Sequence, residues 1–161
     1  MLRAQAGDRG ALAQILAHAE RLLKRWIAAA LGDRSLAADV LQEVLLRAYR
    51  RLDTLRDPRA FDPWVRRLAH RELLRVLRRE RRHEHDELDD PATPPPPDDG
   101  LLARLPALLA RIPPGSRSVL ALHYLDGLEL AEIAVVIELP LGTVKSRLAH
   151  GLRTLRSELA R

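Results

Sequence analysis

The chain has 161 residues, which suits one medium domain or two small ones. It has no cysteine, so disulfides, thiolate chemistry and cysteine-based zinc sites are excluded. No apolar run approaches the ~18 residues of a membrane span, and no signal-peptide stretch is present, so we expect a cytoplasmic protein without direct membrane insertion. Hydrophobic residues make up 47% and aromatics only 3%, and the abundance of Ala, Leu, Arg and Glu predicts an all-α fold.

The charge is unevenly distributed along the chain. Residues 1–83 hold 19 Lys/Arg against 10 Asp/Glu, residues 84–99 hold none against seven, and residues 100–161 hold eight against five. Two basic blocks separated by an acidic segment are typical of a protein that binds a polyanion. Basic charge alone also fits ribosomal, RNA-binding and membrane-surface proteins.

The acidic segment contains four consecutive prolines, Pro94 to Pro97, and no apolar periodicity. Such a composition cannot bury enough apolar surface to fold by itself. The sequence therefore predicts two small helical domains, residues 1–83 and 100–161, joined by a flexible acidic, proline-rich linker at residues 84–99.

Three or more helices are predicted before the linker and four after it. In the first block they run from an N-cap at Asp8 to about Gly32, from Asp33 or Ser35 to about Leu52, and from about Trp64 to Arg82. In the second block the predicted helices are Leu101–Ile112, Ser116–Leu125, Leu130–Ile137 and Thr143–Leu159. The last two helices, joined by a tight turn, suggest a helix-turn-helix.

The terminal helix has two contrasting faces at 100° per residue. Val144, Leu148, Gly151 and Leu155 share one side, and Lys145, Ser146, Ala149, His150 and Arg153 share another. Recognition helices read DNA bases in the major groove from their N-terminal turns, so the second face is a candidate DNA reader. Solvation of an exposed face explains its cations about as well.

The run Gly142-Thr143-Val144-Lys145-Ser146-Arg147-Leu148 resembles the C-terminal helix-turn-helix (region 4) of extracytoplasmic-function (ECF) sigma factors. In that family this string opens the helix that reads the upstream (−35) promoter element. The resemblance implies upstream-element contacts by Thr143, Lys145, Ser146, Arg147, Ala149, His150 and Arg153. Two positions depart from the family pattern. Glu138 replaces the turn glycine, which implies a left-handed residue at a cost of about 1 kcal/mol, and His150 replaces arginine.

The second predicted helix carries an acidic patch, Asp39, Gln42 and Glu43, opposite its apolar stripe. Ordinary solvation near a helix N-terminus explains such a patch by itself. However, Asp39-Val40-Leu41-Gln42-Glu43-Val44 resembles the D-x-x-Q-E-V segment with which sigma factors dock onto a coiled coil of RNA polymerase. The resemblance implies that the acidic patch binds the polymerase.

The third predicted helix is rich in arginine, which suits phosphate contacts. Trp64-Val65-Arg66-Arg67-Leu68-Ala69 resembles the W-L-Y-R-I-A segment of sigma region 2. The resemblance implies that the Leu55–Asp62 loop and the start of this helix capture an unstacked base of the downstream (−10) element. The implied downstream contacts are Arg56, Arg59, Phe61, Arg66, Arg67, His70, Arg71 and Arg75. Trp64 and Phe61 are alternatively core anchors that hold the preceding loop, and Arg71 stands where the family has asparagine.

The sequence predicts no enzyme, cofactor or metal site. It has no phosphate-cradling glycine loop or nucleophile elbow, and His83, His85 and Asp86 form at most a loose metal site. We therefore expect an ECF sigma factor that binds core RNA polymerase, directs promoter-specific initiation and is held inactive by an anti-sigma factor. The alternatives are a stand-alone helix-turn-helix transcriptional regulator and, on charge alone, an RNA-binding adaptor.

Overall fold

The computed structural model describes the backbone of residues 1–86 and 108–160 and the side chains of residues 1–79 and 108–160. All regular structure within these ranges is helical, as the composition predicts. The α-helices are α1 (Leu2–Gln5), α2 (Arg9–Leu31), α3 (Arg34–Arg51), α4 (Phe61–Asp86), α5 (Pro114–Tyr124), α6 (Leu130–Ile137) and α7 (Leu141–Leu159). Two short 3-10 turns, Leu52–Thr54 and Pro58–Ala60, connect α3 to α4. None of the helices in the described ranges is both long and apolar enough to cross a membrane.

Side-chain caps and one glycine set the ends of α2 and α3. The Asp8 carboxylate accepts from the backbone N–H of Ala11 at 3.0 Å, and α2 ends at Gly32, whose φ is 80°. The Asp33 carboxylate then caps α3 by accepting from the N–H groups of Ser35 and Leu36. Acceptors at N-caps satisfy backbone donors that the helix leaves unpaired, and glycine tolerates the left-handed end. The predicted bounds of both helices are confirmed.

Several predicted bounds of the other helices differ from those observed. Helix α4 begins at Phe61, ahead of Trp64, and continues through Asp86, so the linker prediction is wrong at residues 84–86. No proline or glycine interrupts the chain between Pro63 and Pro91, and helix formers extend the helix. Helix α5 starts at Pro114 and α7 at Leu141. Residues 87–99 and most of the predicted Leu101–Ile112 helix lie outside the described residues, although 108–110 are helical.

Helices α2, α3 and α4 pack as a bundle, and α5, α6 and α7 form a second helical unit against it. Helix α2 contacts α5, and α4 contacts α6, so the apolar core is continuous between the two units. Trp26 of α2 is fully buried where they meet. Its indole N–H donates to the Ser118 hydroxyl of α5 at 3.3 Å. The sequence predicts the two units but not their packing against each other.

Gly151 on the inner face of α7 allows close packing against α5. A Cβ atom at Gly151 would lie 2.7 Å from Cδ1 and 3.2 Å from Cγ of Leu120, and 3.3 Å from Cβ of Ser116. Leu120 and Ser116 are themselves buried, so neither can move aside without disturbing the core.

We expect Gly151→Ala to lower the free energy of unfolding by about 1–3 kcal/mol, because overpacking a filled interface displaces its neighbours. Gly142→Ala is the matched control on the same helix, since a Cβ there meets nothing within 4 Å. Chemical denaturation of both variants checks the prediction. Equal stability of the two variants would contradict it.

Candidate functional site

Helices α6 and α7 form the predicted helix-turn-helix. The Glu132 carboxylate accepts from the backbone N–H of Glu129 at 2.8 Å, which fixes the start of α6. Glu138 ends α6 in the left-handed conformation, with φ 55° and ψ 45°, as the sequence predicts for this non-glycine turn residue. In the described ranges it is the one residue other than glycine with a positive φ. The turn leads directly into α7, which packs against both α5 and α6.

The outer face of α7 is free to meet a partner. Val144 and Gly151 are buried on the inner side, whereas the five residues predicted as the reading face are exposed: Lys145, Ser146, Ala149, His150 and Arg153. The Ser146 hydroxyl donates to the Thr143 carbonyl at 2.9 Å, which leaves its oxygen able to accept. The inner and outer faces are confirmed, and DNA binding by the outer one stays a prediction.

Two of the predicted upstream contacts are less accessible. Thr143 is half-buried at the start of α7, and Arg147 is half-buried with its guanidinium against Gly115. A Cβ atom at Gly115 would lie 3.0 Å from a terminal nitrogen of Arg147, so glycine makes that approach possible. Arg147 therefore faces the α5 side of the unit and stands apart from the exposed row.

The acidic patch on α3 lies at the surface. Asp39 and Gln42 are exposed, and Glu43 is half-buried. The Arg47 guanidinium donates to the Glu43 carboxylate at 2.7 Å. That hydrogen bond lowers the pKa of Glu43, so the residue is held as an oriented carboxylate.

A buried carboxylate, Glu72 of α4, holds the arginine that orients Glu43 of this patch. Its side chain is 1% exposed, forms an ion pair with Arg47 at 2.7 Å and accepts a hydrogen bond from Arg75 Nε at 2.9 Å. Glu43, Arg47, Glu72 and Arg75 thus form one alternating charge network between α3 and α4. Sequence reasoning missed Glu72, although an acid within the apolar stripe of an arginine-rich helix, beside Leu73, was the available signal.

Replacement of Glu72 by glutamine should destabilise the fold by about 1–3 kcal/mol, because two guanidinium groups lose a charged acceptor in a buried place. The matched control is Glu20→Gln, which removes an exposed carboxylate from α2 and should change stability by less than about 0.5 kcal/mol. Urea unfolding of both variants measures the difference. Similar midpoints would show that the network adds no stability.

Arg75 does not lie with the other predicted downstream contacts. It is nine residues after Arg66, which places it about 180° around the helix. It lines a groove between α3 and α4 together with Asp39, Glu43 and Glu72. The structure therefore places Arg75 beside the acidic patch, away from Arg66.

The remaining predicted downstream contacts fall into three groups. Arg56 and Arg59 are exposed on the turns before α4, and Phe61 is buried 5.9 Å from the half-buried Trp64. Both rings therefore pack beside the turn, as the core-anchor alternative expects, and base capture by Phe61 stays a prediction. The third group, Arg66, Arg67, His70 and Arg71, follows on α4, where that helix approaches the second helical unit.

Arginines of α4 form ion pairs with carboxylates of the second unit. Arg66 Nε lies 3.5 Å from Asp126 Oδ2, with side chains only 12% and 8% exposed. Arg71 donates to both carboxylate oxygens of Glu138, at 2.7 and 3.2 Å. These bonds lower the pKa of Glu138, while burial raises the pKa of Asp126 in spite of Arg66. Neither pair was predicted from the sequence.

His70 lies between these two pairs and is buried. Its ring stacks on Trp26 at a centroid distance of 6.5 Å, and its Nδ1 has no hydrogen-bond partner. Burial lowers the pKa of His70 to about 4; the charge of Arg147 also lowers it, and that of Glu138 raises it. At neutral pH the ring is therefore uncharged.

This low pKa makes the stability depend on pH. A histidine with pKa 6.5 when unfolded and about 4 when folded binds more protons in the unfolded state between these values. Stability is then fully present above pH 6.5 and falls on acidification, by up to about 1.4 kcal/mol per pH unit. Thermal unfolding at pH 7 and pH 5.5 should show this loss, and His70→Gln should reduce it. An unchanged pH dependence in the variant would exclude His70 as the source.

Metal binding finds no support among the described side chains, where no group of three potential ligands is close enough to hold an ion. The side chains of His83, His85 and Asp86, the loose site considered from the sequence, lie outside the described residues.

Comparison with known proteins identifies both helical units. Residues 15–83 match the family model of sigma-70 region 2, and residues 102–155 match that of sigma-70 region 4. The ECF RNA polymerase sigma factor SigE of Mycolicibacterium smegmatis is 32% identical over 81% of this chain and 54% of its own length. This chain therefore spans about half of that relative.

A second relative is covered more fully. The RNA polymerase sigma-E factor of Streptomyces coelicolor is 33% identical over 76% of this chain and 71% of its own length. Among solved structures, the sigma factor RpoE of Bartonella quintana in complex with the anti-sigma factor NepR has the same fold, with a TM-score of 0.70 and 19% identity over 94% of this chain and 96% of that one. The chain belongs to the sigma-70 family of RNA polymerase sigma factors, in its extracytoplasmic-function group.

Proposed function

We propose that this protein is a promoter-specificity factor that binds core RNA polymerase and directs transcription initiation in the cytoplasm. The observation that carries the proposal is the exposed row on α7, which follows a capped turn and offers two cations, a hydroxyl and an imidazole. Such a helix fits the major groove of a promoter element. Members of the family are initiation factors, so the polymerase supplies the chemistry.

Polymerase docking is assigned to Asp39, Gln42 and Glu43 on α3. The carboxylate of Glu43 is oriented by Arg47, and Arg47 is in turn held by buried Glu72. A preoriented acidic face in a basic protein favours one docking geometry, because other faces repel a basic partner. Arg75 borders this face and is assigned here to docking.

Promoter contacts are divided between the two units. Residues 1–83, whose last helix runs to Asp86, form region 2 and bind the downstream element through the turn and α4. Residues 100–161 form region 4 and bind the upstream element through α7. The acidic segment between them tethers the two units so that both elements are held at once.

An anti-sigma factor is the proposed inhibitory partner. The Bartonella quintana sigma factor was solved with such a partner, and its fold matches both helical units of this chain. A partner that covers the acidic patch of α3 would block polymerase docking directly.

In vitro transcription with bacterial core polymerase on a promoter library tests the proposal. We expect new start sites downstream of a shared two-part motif, because the added protein supplies recognition that core polymerase lacks. Changing Asp39, Gln42 and Glu43 together to alanine should lower this transcription at least tenfold, since the loss of about 1.4 kcal/mol of docking energy is a tenfold weakening.

The control variant removes two exposed acids outside the patch and outside the turns before α4, Glu20→Gln and Glu129→Gln, and should keep transcription near the unmodified level. An absence of new start sites, together with tight promoter binding without polymerase, would instead identify a stand-alone helix-turn-helix regulator. A loss of transcription in the control variant equal to that in the patch variant would remove the docking assignment.

A further inference from the structure

The DNA-facing side of α4 is occupied by the chain's own second helical unit. The region of contact, called the seam here, consists of Arg66, His70 and Arg71 of α4 facing Asp126 and Glu138. Asp126 lies just after α5, and Glu138 is the turn residue between α6 and α7. Residues assigned to the downstream promoter element are therefore engaged within the protein.

The two carboxylates meet these arginines as a nucleic-acid phosphate would. Two guanidinium nitrogens of Arg71 donate to the two carboxylate oxygens of Glu138, at 2.7 and 3.2 Å. This fork is the geometry that guanidinium groups also make with phosphate. Arg66 and Asp126 form a more deeply buried pair at 3.5 Å. Two negative groups from one unit thus occupy two guanidinium groups of α4.

The seam also concentrates polar atoms that lack partners. Among the described side chains, the buried nitrogen or oxygen atoms without a hydrogen bond are Arg66 Nε, His70 Nδ1, Arg117 Nε and Asp126 Oδ2. Three of them belong to seam residues, and Arg117 extends from α5 to the Leu31 carbonyl of α2 at 3.1 Å, across the same boundary. Arg66 Nε and Asp126 Oδ2 face each other as an ion pair at 3.5 Å, so His70 Nδ1 is the seam atom that also lacks an ionic partner. A buried polar atom without any partner costs about 1–3 kcal/mol.

The cost at His70 is released when the two units separate, because water can then bind its Nδ1. The apolar contacts around Trp26 oppose the separation. A ligand that binds the arginines better in the separated arrangement shifts the balance toward separation.

We propose that Asp126 and Glu138 are phosphate mimics that keep the downstream-element site of α4 filled until DNA displaces them. The ligand that competes with them is the sugar-phosphate backbone of promoter DNA. This inference rests on the proposed function, because it takes α4 to be a DNA-binding helix. The observed association constant for DNA is then the intrinsic association constant multiplied by the fraction of molecules in which the units are apart.

The test uses the full chain and a fluorescein-labelled single-stranded DNA of mixed sequence, with binding followed by anisotropy at fixed salt. The variant Asp126→Asn with Glu138→Gln keeps side-chain size and removes both charges. We expect it to bind the DNA about tenfold more tightly, because two arginines lose their internal partners. Adding Arg66→Gln and Arg71→Gln to that variant should abolish the gain.

The matched control, Glu20→Gln with Glu129→Gln, makes the same change in net charge at exposed positions of α2 and the N-cap of α6. It should tighten binding less than twofold. An equal gain in the control and seam variants would overturn the proposal, since net charge alone would then explain the effect.

Transcription with core polymerase distinguishes a failure of the phosphate mimicry from a failure of the proposed function. If the unmodified chain directs transcription but the seam variant binds DNA no better than the control, the mimicry is wrong and the proposed function stands. If the unmodified chain directs no transcription, the proposed function fails whatever the DNA-binding result.

Discussion

The burial of Trp26 is the contact on which the arrangement of the two helical units depends. Its ring lies against His70 of α4, and its N–H reaches Ser118 of α5. One fully buried indole thereby touches both units and places α4 opposite α6. Because His70 is held neutral in this contact, the chain has an apolar junction in the middle of an otherwise cationic helix. Every ion pair across the seam lies around that junction.

Arginine carries most of the positive charge of this protein. Ion pairs with carboxylates determine which guanidinium groups remain available to an external partner. Arg47 and Arg75 are committed to Glu72, which stabilises the side of the bundle that carries the acidic patch. Arg66 and Arg71 are committed to the second unit, whereas Arg56 and Arg153 remain exposed. Net charge alone would treat all of these residues alike. Their different partners give the two sides of α4 different tasks.

Local signals in the sequence were sufficient for much of the fold. Aspartates at Asp8 and Asp33 and the glycine at Gly32 set the ends of α2 and α3, since a cap acts within a few residues of its helix end. The exposed row on α7 also followed from local periodicity, and the left-handed turn at Glu138 followed from the family resemblance. In contrast, Glu72 and the two seam pairs join positions on different elements, and Arg71 and Glu138 are 67 positions apart. No local rule states which distant carboxylate meets which arginine.

Gly151 gives the second unit a mechanical property. Helix α7 has 19 residues, so it extends about 28 Å, and the glycine lies near its middle, against Leu120 of α5. The reading residues around Lys145 are about 9 Å away along the axis. A small change in the distance between α7 and α5 at Gly151 would therefore tilt the N-terminal part of α7, around Lys145, relative to α6. The orientation of the exposed row on α7 is in this way set by a missing methyl group on the opposite, buried side of the helix.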